Sequence, residues 1–378
     1  MARPKIFLLT HEFPPKRGGA GVYCEEMAHA AAALGHEVEV RAPATPVSSG
    51  DGSPPYTLSP LPWHGSQDWR CSIRLIREVR KNAASFAGNV VHLAEPGALR
   101  AFIRLGFFAR IQPARLLVTL HGSEIPLFCR FPPERFLFRR LLRRADRIHL
   151  LSRHNENALL TRFPELGPKI VLVPGAPRRL ILPESRIPAN SNEDSGSRLL
   201  MLTVGRLHPR KGQDRLLEAA TSLPNKLKAR LEYYIVGPET SPLYARGLRE
   251  QAASSGIPVH FLGDLSDADL CIAYSSADLF ALASVPYGRS VEGFGFVYLE
   301  AAAHGLPALA HRIGGVEDAV VHEQTGLLVP HDKPSELAQA LERLITDSAL
   351  RQRLGEAARD RAAGFSWERP AKALYGEA

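Results

Sequence analysis

The chain has 378 residues, 47 of them Lys or Arg and 39 Asp or Glu, for a formal charge of +8. It is 45% hydrophobic and 23% charged, which excludes a disordered or fibrous chain. Four cysteines (Cys24, Cys71, Cys129, Cys271) lie far apart without Cys-x-x-Cys spacing, which argues against a disulfide framework or structural zinc and fits a reducing compartment.

Lys5 to Thr10 carries a short apolar run, Ile6 to Leu9, of buried-strand type. It is too short for a signal peptide, and no apolar run approaches the ~18–20 residues of a membrane span. A Pro- and Gly-rich loop follows from His11 to Gly21, then a helical pattern from about Val22 to Leu34, and a second strand around Val38 and Val40. This β-loop-α-β unit builds doubly wound sheets. Apolar runs at 90–93, 116–120, 148–151 and 170–173 repeat the theme, as expected for parallel strands covered on both faces. The polar, Pro- and Ser-rich stretch that follows reads as a linker, with bounds 184–197. The second half restarts the same grammar with strands near 199–204, 231–236, 259–262, 278–283, 307–310 and 326–329. The expected fold is therefore α/β: two Rossmann-like doubly wound domains facing each other across a cleft. The first covers 1–183 and the second 198–360, with a helical segment, 361–378, returning toward the first. In such sheets ligands sit beyond the carboxyl ends of the strands.

Charge divides unevenly between the halves. Residues 1–195 hold 27 Lys and Arg against 17 Asp and Glu, a balance of +10, and residues 196–378 hold 20 against 22, a balance of −2.

Four segments follow strands and carry chemistry. Gly18-Gly19-Ala20-Gly21 lies between the first strand and a helix, where backbone amides can approach an anion. It would serve equally as a tight turn, and it is not Gly-x-Gly-x-x-Gly. Gly205-Arg206-Leu207-His208-Pro209-Arg210-Lys211-Gly212 offers Arg206 and Lys211 as fixed cations for a diphosphate, or forms a solvated basic turn. In Glu292-Gly293-Phe294-Gly295-Phe296-Val297-Tyr298-Leu299-Glu300, the first carboxylate precedes a helix and the second lies in its second turn. Amides near Gly295 would take phosphate oxygens, and Glu300 would accept from sugar or ribose hydroxyls; the plainer reading is an exposed Glu pair. His121-Gly122-Ser123-Glu124 ends a strand and places His121 where it can bond a substrate, or simply in a turn.

Taken together, Glu292-x7-Glu300 with Ala-Ala-Ala-His-Gly-Leu-Pro, Gly314-Gly315-Val316-Glu317-Asp318 and Thr325-Gly326-Leu327-Leu328-Val329 resemble the signature of retaining nucleotide-sugar glycosyltransferases of family four, which have the GT-B fold. Gly205-Arg206-Leu207 with Lys211-Gly212, the glycine loop and His121-Gly122 match it too, so the resemblance spans nearly the whole chain. It implies an acceptor-binding first domain and a nucleotide-sugar-binding second domain. Arg206 and Lys211 would stabilise the leaving diphosphate, and Glu300 would bind ribose. Glu292 would face the donor sugar, His121 would contact its hydroxyls, and Gly18 and Gly19 would lie near the phosphates. Gly205, Gly293, Phe294, Gly295, Phe296 and Val297 would line the nucleotide-sugar site, and the base would lie near Gly263. The donor would be a UDP- or GDP-linked sugar, with no cofactor and no divalent metal. This sequence departs from the family at Pro174-Gly175-Ala176-Pro177, where Asn-Gly-Val-Asp is usual, and at Gly237-Pro238-Glu239, where Gly-Asp-Gly is frequent.

Preorganised donors at a departing diphosphate oxygen are the largest catalytic contribution such a site can make. A retaining glycosidase would also use two carboxylates but needs no cation clamp. A non-catalytic sugar-nucleotide-binding module is the other alternative. Arg130 to Arg147 holds seven Arg against Glu134 and Asp146, interleaved with Phe136, Leu137, Phe138, Leu141 and Leu142. On a helix the apolar residues would bury and Arg139, Arg140, Arg143 and Arg144 would face out. That face suits an anionic membrane surface, a phosphorylated or acidic acceptor, or plain solvent. No nucleic-acid motif accompanies it. The acceptor is thus expected to be anionic or lipid-linked, and the protein cytoplasmic, with a peripheral position on the inner membrane face open to it.

Overall fold

The computed structural model describes residues 3–14, 18–43, 54–61, 68–179 and 198–377. The linker expected at 184–197 lies outside them. The chain forms two compact units, one of Met1–Gly175 with Ser366–Ala378 and one of Ala176–Phe365.

In the first unit the chain runs β1 (Ile6–Leu9), α1 (Gly19–Ala33), β2 (Val38–Pro43), β3 (Thr57–Leu61), α2 (Trp69–Lys81), α3 (Ala83–Phe86), β4 (Val90–Leu93), α4 (Pro96–Ala109), β5 (Arg115–Leu120), α5 (Glu124–Phe128), α6 (Pro132–Arg144), β6 (Arg147–Leu150), α7 (Arg153–Leu160) and β7 (Ile170–Leu172). The strands form one parallel sheet in the order β3-β2-β1-β4-β5-β6-β7. β1 and β4 are buried along their whole length, as their unbroken apolar sequences require when both faces are covered. Sequence periodicity missed β3, a half-exposed edge strand that tolerates Pro60 because an edge need not donate every N–H.

In the second unit come β8 (Leu199–Val204), α8 (Gln213–Thr221), α9 (Asn225–Lys228), β9 (Leu231–Val236), α10 (Pro242–Ser254), β10 (Val259–Gly263), α11 (Asp267–Ser276), β11 (Leu279–Leu282), α12 (Phe296–Ala303), β12 (Ala308–His311), α13 (Val316–Ala319), β13 (Gly326–Val329), α14 (Pro334–Thr346) and α15 (Ser348–Ala363). Its parallel sheet has the order β10-β9-β8-β11-β12-β13. Counted from β8 this is 3-2-1-4-5-6, the Rossmann order, so the direction of winding reverses between β8 and β11. Loops leaving those two strands diverge at their carboxyl ends and open the crevice where such folds bind ligands.

The last helix, α16 (Glu368–Tyr375), packs on α1 in the first unit. Arg115 donates to the Leu374 carbonyl at 2.6 Å, and Tyr375 joins a buried polar chain beneath it. His92 Nδ1 lies 2.7 Å from Tyr375 Oη, and its Nε2 lies 2.8 Å from Thr119 Oγ1. Tyr23 Oη lies 2.8 Å from both Thr119 Oγ1 and His149 Nδ1, and His149 Nε2 donates to the Val173 carbonyl at 2.8 Å. The chain thus ties β4, β5 and β6 to α1 and α16 through buried groups. Such a network specifies one packing only while every member stays satisfied.

Burial holds His92 down at about 3, helped by the neighbouring His149 and His121. Burial likewise holds His149 at about 4, against the Val173 carbonyl, which favours the charged ring. Both folded values lie below the unfolded value of about 6.5, so the folded state binds fewer protons in acid. Stability is unaffected above that value and falls as pH drops toward the folded ones. At pH 5 each ring should cost about 2 kcal/mol. Urea unfolding at pH 7.5 and pH 5 should therefore show wild type losing about 2 kcal/mol more than His92→Gln. Equal losses in the two proteins would contradict this reading of the network.

Candidate active site

The second unit brings its chemistry to the carboxyl ends of β8 and β11. After β8 the chain passes Gly205 and Arg206 into a short 3-10 turn, Pro209–Lys211, which ends at Gly212. Gly212 has φ +66°, and a Cβ there would run into the Ala283 carbonyl oxygen just beyond β11. Only glycine allows that approach, and it lays Lys211 against the β11 loop. Lys211 Nζ donates to Glu292 Oε2 at 2.7 Å. Ser284 Oγ donates to the same oxygen at 3.3 Å, and Arg210 NH1 stands 3.7 Å from it while donating to the Val291 carbonyl at 2.9 Å. The Glu292 backbone is fixed in turn, since its carbonyl accepts from Gly315 N–H at 2.9 Å.

Glu292 is 8% exposed. Burial alone would raise its carboxyl, but the charges of Lys211 and Arg210 and the hydrogen bonds from Lys211 and Ser284 outweigh it and hold the group at about 2. Lys211 is drawn below the ordinary lysine value, first by burial and then, against Glu292, by Arg210 and Arg206. The site is therefore an ion pair with surplus cations around it. Arg206 itself is exposed on the same turn.

Glu300 lies in the second turn of α12 and is 5% exposed. Its Oε2 accepts from Tyr274 Oη at 2.9 Å, and its Oε1 stands 3.9 Å from Arg178 Nε. Burial raises its pKa, against Arg178 and the Tyr274 hydrogen bond. α12 opens at Gly295, whose φ of +84° turns the chain into the helix above the Tyr298 ring.

Two family models divide the chain between them. The one described as glycosyl transferases group 1 matches residues 186–361, and the one described as Glycosyltransferase Family 4 matches residues 17–176. The chain belongs to glycosyltransferase family four. It is 28% identical over 379 residues to the GDP-mannose-dependent alpha-(1-6)-phosphatidylinositol monomannoside mannosyltransferase of Mycobacterium tuberculosis, covering 94% of this chain and 93% of that one. Among solved structures, sucrose-phosphate synthase from Thermosynechococcus elongatus superposes with a TM-score of 0.80 at 24% identity, over 98% of this chain and 96% of that one. Anabaena HepE, crystallised with UDP-glucose, gives 0.72 at 21% identity, over 97% and 98%. The two parallel α/β units are the Rossmann-like domains of the GT-B fold, and the chain is a glycosyltransferase.

For a family-four enzyme, the sequence-selected residues divide clearly. Lys211 and Glu292 meet directly, while Arg210, one position from Lys211, rather than Arg206, completes the cation group at Glu292. Gly205, Gly293, Gly295 and Val297 present backbone near these loops, whereas the Phe294 and Phe296 side chains are buried against each other, ring centroids 5.5 Å apart. Gly263 closes β10 with φ +68° and open space beside it. The sequence also holds an Asp-x-Asp, Asp267-Ala268-Asp269; Asp267 pairs with Arg178 and Asp269 with Ser266 at the start of α11.

In the first unit, His121 Nε2 donates to the Ala94 carbonyl at 2.9 Å, which fixes the tautomer and leaves Nδ1 as an acceptor. Gly18 and Gly19 begin α1, yet the Glu12 carboxylate already lies there, with Gly21 N–H donating to Glu12 Oε1 at 3.3 Å. Sequence reasoning missed Glu12, Arg210, Ser284, Tyr274 and Arg178. Of these only Arg210 stood inside a selected motif, and nothing in its spacing separated it from Arg206.

On α6, Phe138, Leu141 and Leu142 are buried and Arg139, Arg140, Arg143 and Arg144 are exposed. Phe136, expected to bury, is 64% exposed. It falls on the arginine face because burial on a helix is set by angle and not by apolarity. Glu165 accepts from Arg139 at 2.6 Å and lies 3.5 Å from Arg143, and Arg144 donates to the Ile111 carbonyl beyond α4.

Proposed function

We propose that this chain is a retaining, metal-independent hexosyltransferase that moves a sugar from a UDP- or GDP-linked donor to an acceptor hydroxyl. The acceptor would be anionic or lipid-linked, as in cell-envelope glycan or glycolipid synthesis. The observation that carries the reading is the Lys211–Glu292 pair with Arg210 beside it, at the switch point of a Rossmann sheet. Cleavage of the bond from the anomeric carbon leaves its electron pair on the diphosphate oxygen. Lys211 has three N–H donors and Glu292 uses one, so the ammonium keeps bonds to offer that oxygen. Arg206 and Arg210 add charge, and the amides at the start of α12 add theirs. Glu300 takes the ribose. In the first unit, His121 offers its Nδ1 to a sugar hydroxyl, and the glycine loop reaches a phosphate only once Glu12 moves aside.

A carboxylate held at about 2 is a poor proton acceptor near neutral pH. Glu292 therefore supports the clamp and leaves the acceptor proton alone. The acceptor oxygen attacks the anomeric carbon on the face the diphosphate leaves. Its proton passes to the departing phosphate oxygen, and configuration is retained.

The relative that acts on a phosphatidylinositol mannoside lends support to an anionic lipid acceptor, as does the surface of the first unit. Helix α6, with its exposed Arg139, Arg140, Arg143, Arg144 and Phe136, packs on α4, whose Phe107 and Phe108 are also exposed. Arginines with interleaved aromatics suit the headgroup layer of an anionic leaflet. Among the described residues no helix is long and apolar enough to cross a membrane, so attachment to the inner face would be peripheral.

Replacing Lys211→Ala should lower kcat by about a hundredfold or more in a protein that remains folded. The double variant Lys211→Ala/Glu292→Gln, which leaves neither member of the pair buried and charged without the other, should be equally slow. Near wild-type kcat in either would contradict the clamp. Vesicles of phosphatidylglycerol should co-sediment with the wild-type chain at low salt, vesicles of phosphatidylcholine should not, and Arg139→Ala/Arg140→Ala/Arg143→Ala should abolish binding. A wild-type chain that ignores anionic vesicles would remove the lipid-surface part of the proposal.

A further inference from the structure

The corner at which this chain departs from its family, Pro174 to Pro177, delivers Arg178. The Arg178 side chain is 11% exposed and reaches α11 and α12 together. NH1 donates to Asp267 Oδ1 at 3.0 Å. Nε is buried and makes no hydrogen bond among the described residues, although it faces Glu300 Oε1 across 3.9 Å. The other Glu300 oxygen is already engaged by Tyr274 at 2.9 Å.

A buried N–H and a buried carboxylate oxygen thus face each other across a gap too wide for a hydrogen bond. Leaving the buried Arg178 N–H unmet is costly. The gap suits a group that accepts from one side and donates to the other, which a hydroxyl does and an ammonium or a carbonyl does not. One hydroxyl oxygen can lie about 2.9 Å from both atoms. A purely structural arginine would be expected to close on Glu300 in the two-bond fork that guanidinium and carboxylate favour. Here NH1 makes a single bond to Asp267, whose side chain is 59% exposed, and Nε is left facing the Glu300 carboxylate.

We propose that Arg178 is a second ribose-recognition residue of the donor site. Its Nε–H donates to the same ribose hydroxyl that donates to Glu300 Oε1. The hydroxyl is held from both sides, so the pair distinguishes a ribonucleotide from a deoxynucleotide. This rests on the reading that Glu300 takes the ribose.

The test is calorimetry on the full chain with UDP, GDP and ADP and with their 2′-deoxy and 3′-deoxy forms. In wild type, removal of one hydroxyl should weaken binding about tenfold. Arg178→Met should weaken ribonucleotide binding by a similar factor and should no longer distinguish the two forms. Arg178→Lys, which keeps the charge but lacks Nε, should behave like Arg178→Met, and this separates recognition from charge. Equal losses for ribo- and deoxynucleotides in both variants would overturn the proposal and leave Arg178 a structural residue. So would unchanged affinity. If Glu300→Gln loses the discrimination while Arg178→Met and Arg178→Lys keep it, only the role of Arg178 fails. If Glu300→Gln keeps it, or if wild type binds none of the three nucleotides, the underlying reading of Glu300 fails as well.

Discussion

A carboxylate and an ammonium buried together hold one another in their charged forms, and either one left alone would cost several kcal/mol. Glu292 and Lys211 stand in that relation, 2.7 Å apart in the second unit. Much of the local structure serves to bring them together. β8 and β11 are neighbours in the sheet, so the loops that carry the two residues leave from adjacent strands. Gly212 permits the turn to press on the Ala283 carbonyl, and Gly315 anchors the Glu292 backbone. Ser284 adds a second hydrogen bond to the carboxylate. The pair itself is neutral and keeps the ammonium charged in a buried place. Arg210 and Arg206 beside it make the local charge positive, beyond what Glu292 neutralises.

The first unit is organised by a different constraint. Its adjacent strands β4, β5 and β6 each bury a polar side chain, His92, Thr119 and His149 respectively. They are tolerable because Tyr23 from α1 and Tyr375 from α16 complete their hydrogen bonds. The last helix is therefore part of the first unit's core, although the sequence between β8 and α15 belongs to the second. The positive balance of residues 1–195 shows on the surface of this unit, most densely along α6.

Repeated short apolar runs made the two parallel sheets legible in the sequence, because strands covered on both faces are apolar throughout. The edge strand β3 was not legible, since a half-exposed strand containing Pro60 carries neither pattern. Spacing around glycines located the loops of the site well, and Glu292 and Lys211 could be named from it. Arg206 and Arg210 could not be ranked, because which of two exposed-looking arginines turns inward depends on a 3-10 turn that no periodicity announces. Tyr274 and Arg178 come from elements distant in sequence and meet Glu300 only in the fold. Glu12 was hidden for a similar reason, since its carboxylate folds back across the glycine loop onto Gly21 N–H.

In the proposed mechanism Glu292 stays committed to Lys211 and takes no proton from the acceptor. An enzyme that inverts configuration needs a base on the acceptor side, whereas front-face transfer to the departing diphosphate does not. The anomeric configuration of the first-formed product, read by proton NMR before any mutarotation, therefore tests the account most directly. Retention of the donor's configuration is predicted. An inverted product would contradict the account and would require a carboxylate or histidine outside the Lys211–Glu292 pair to act as the base.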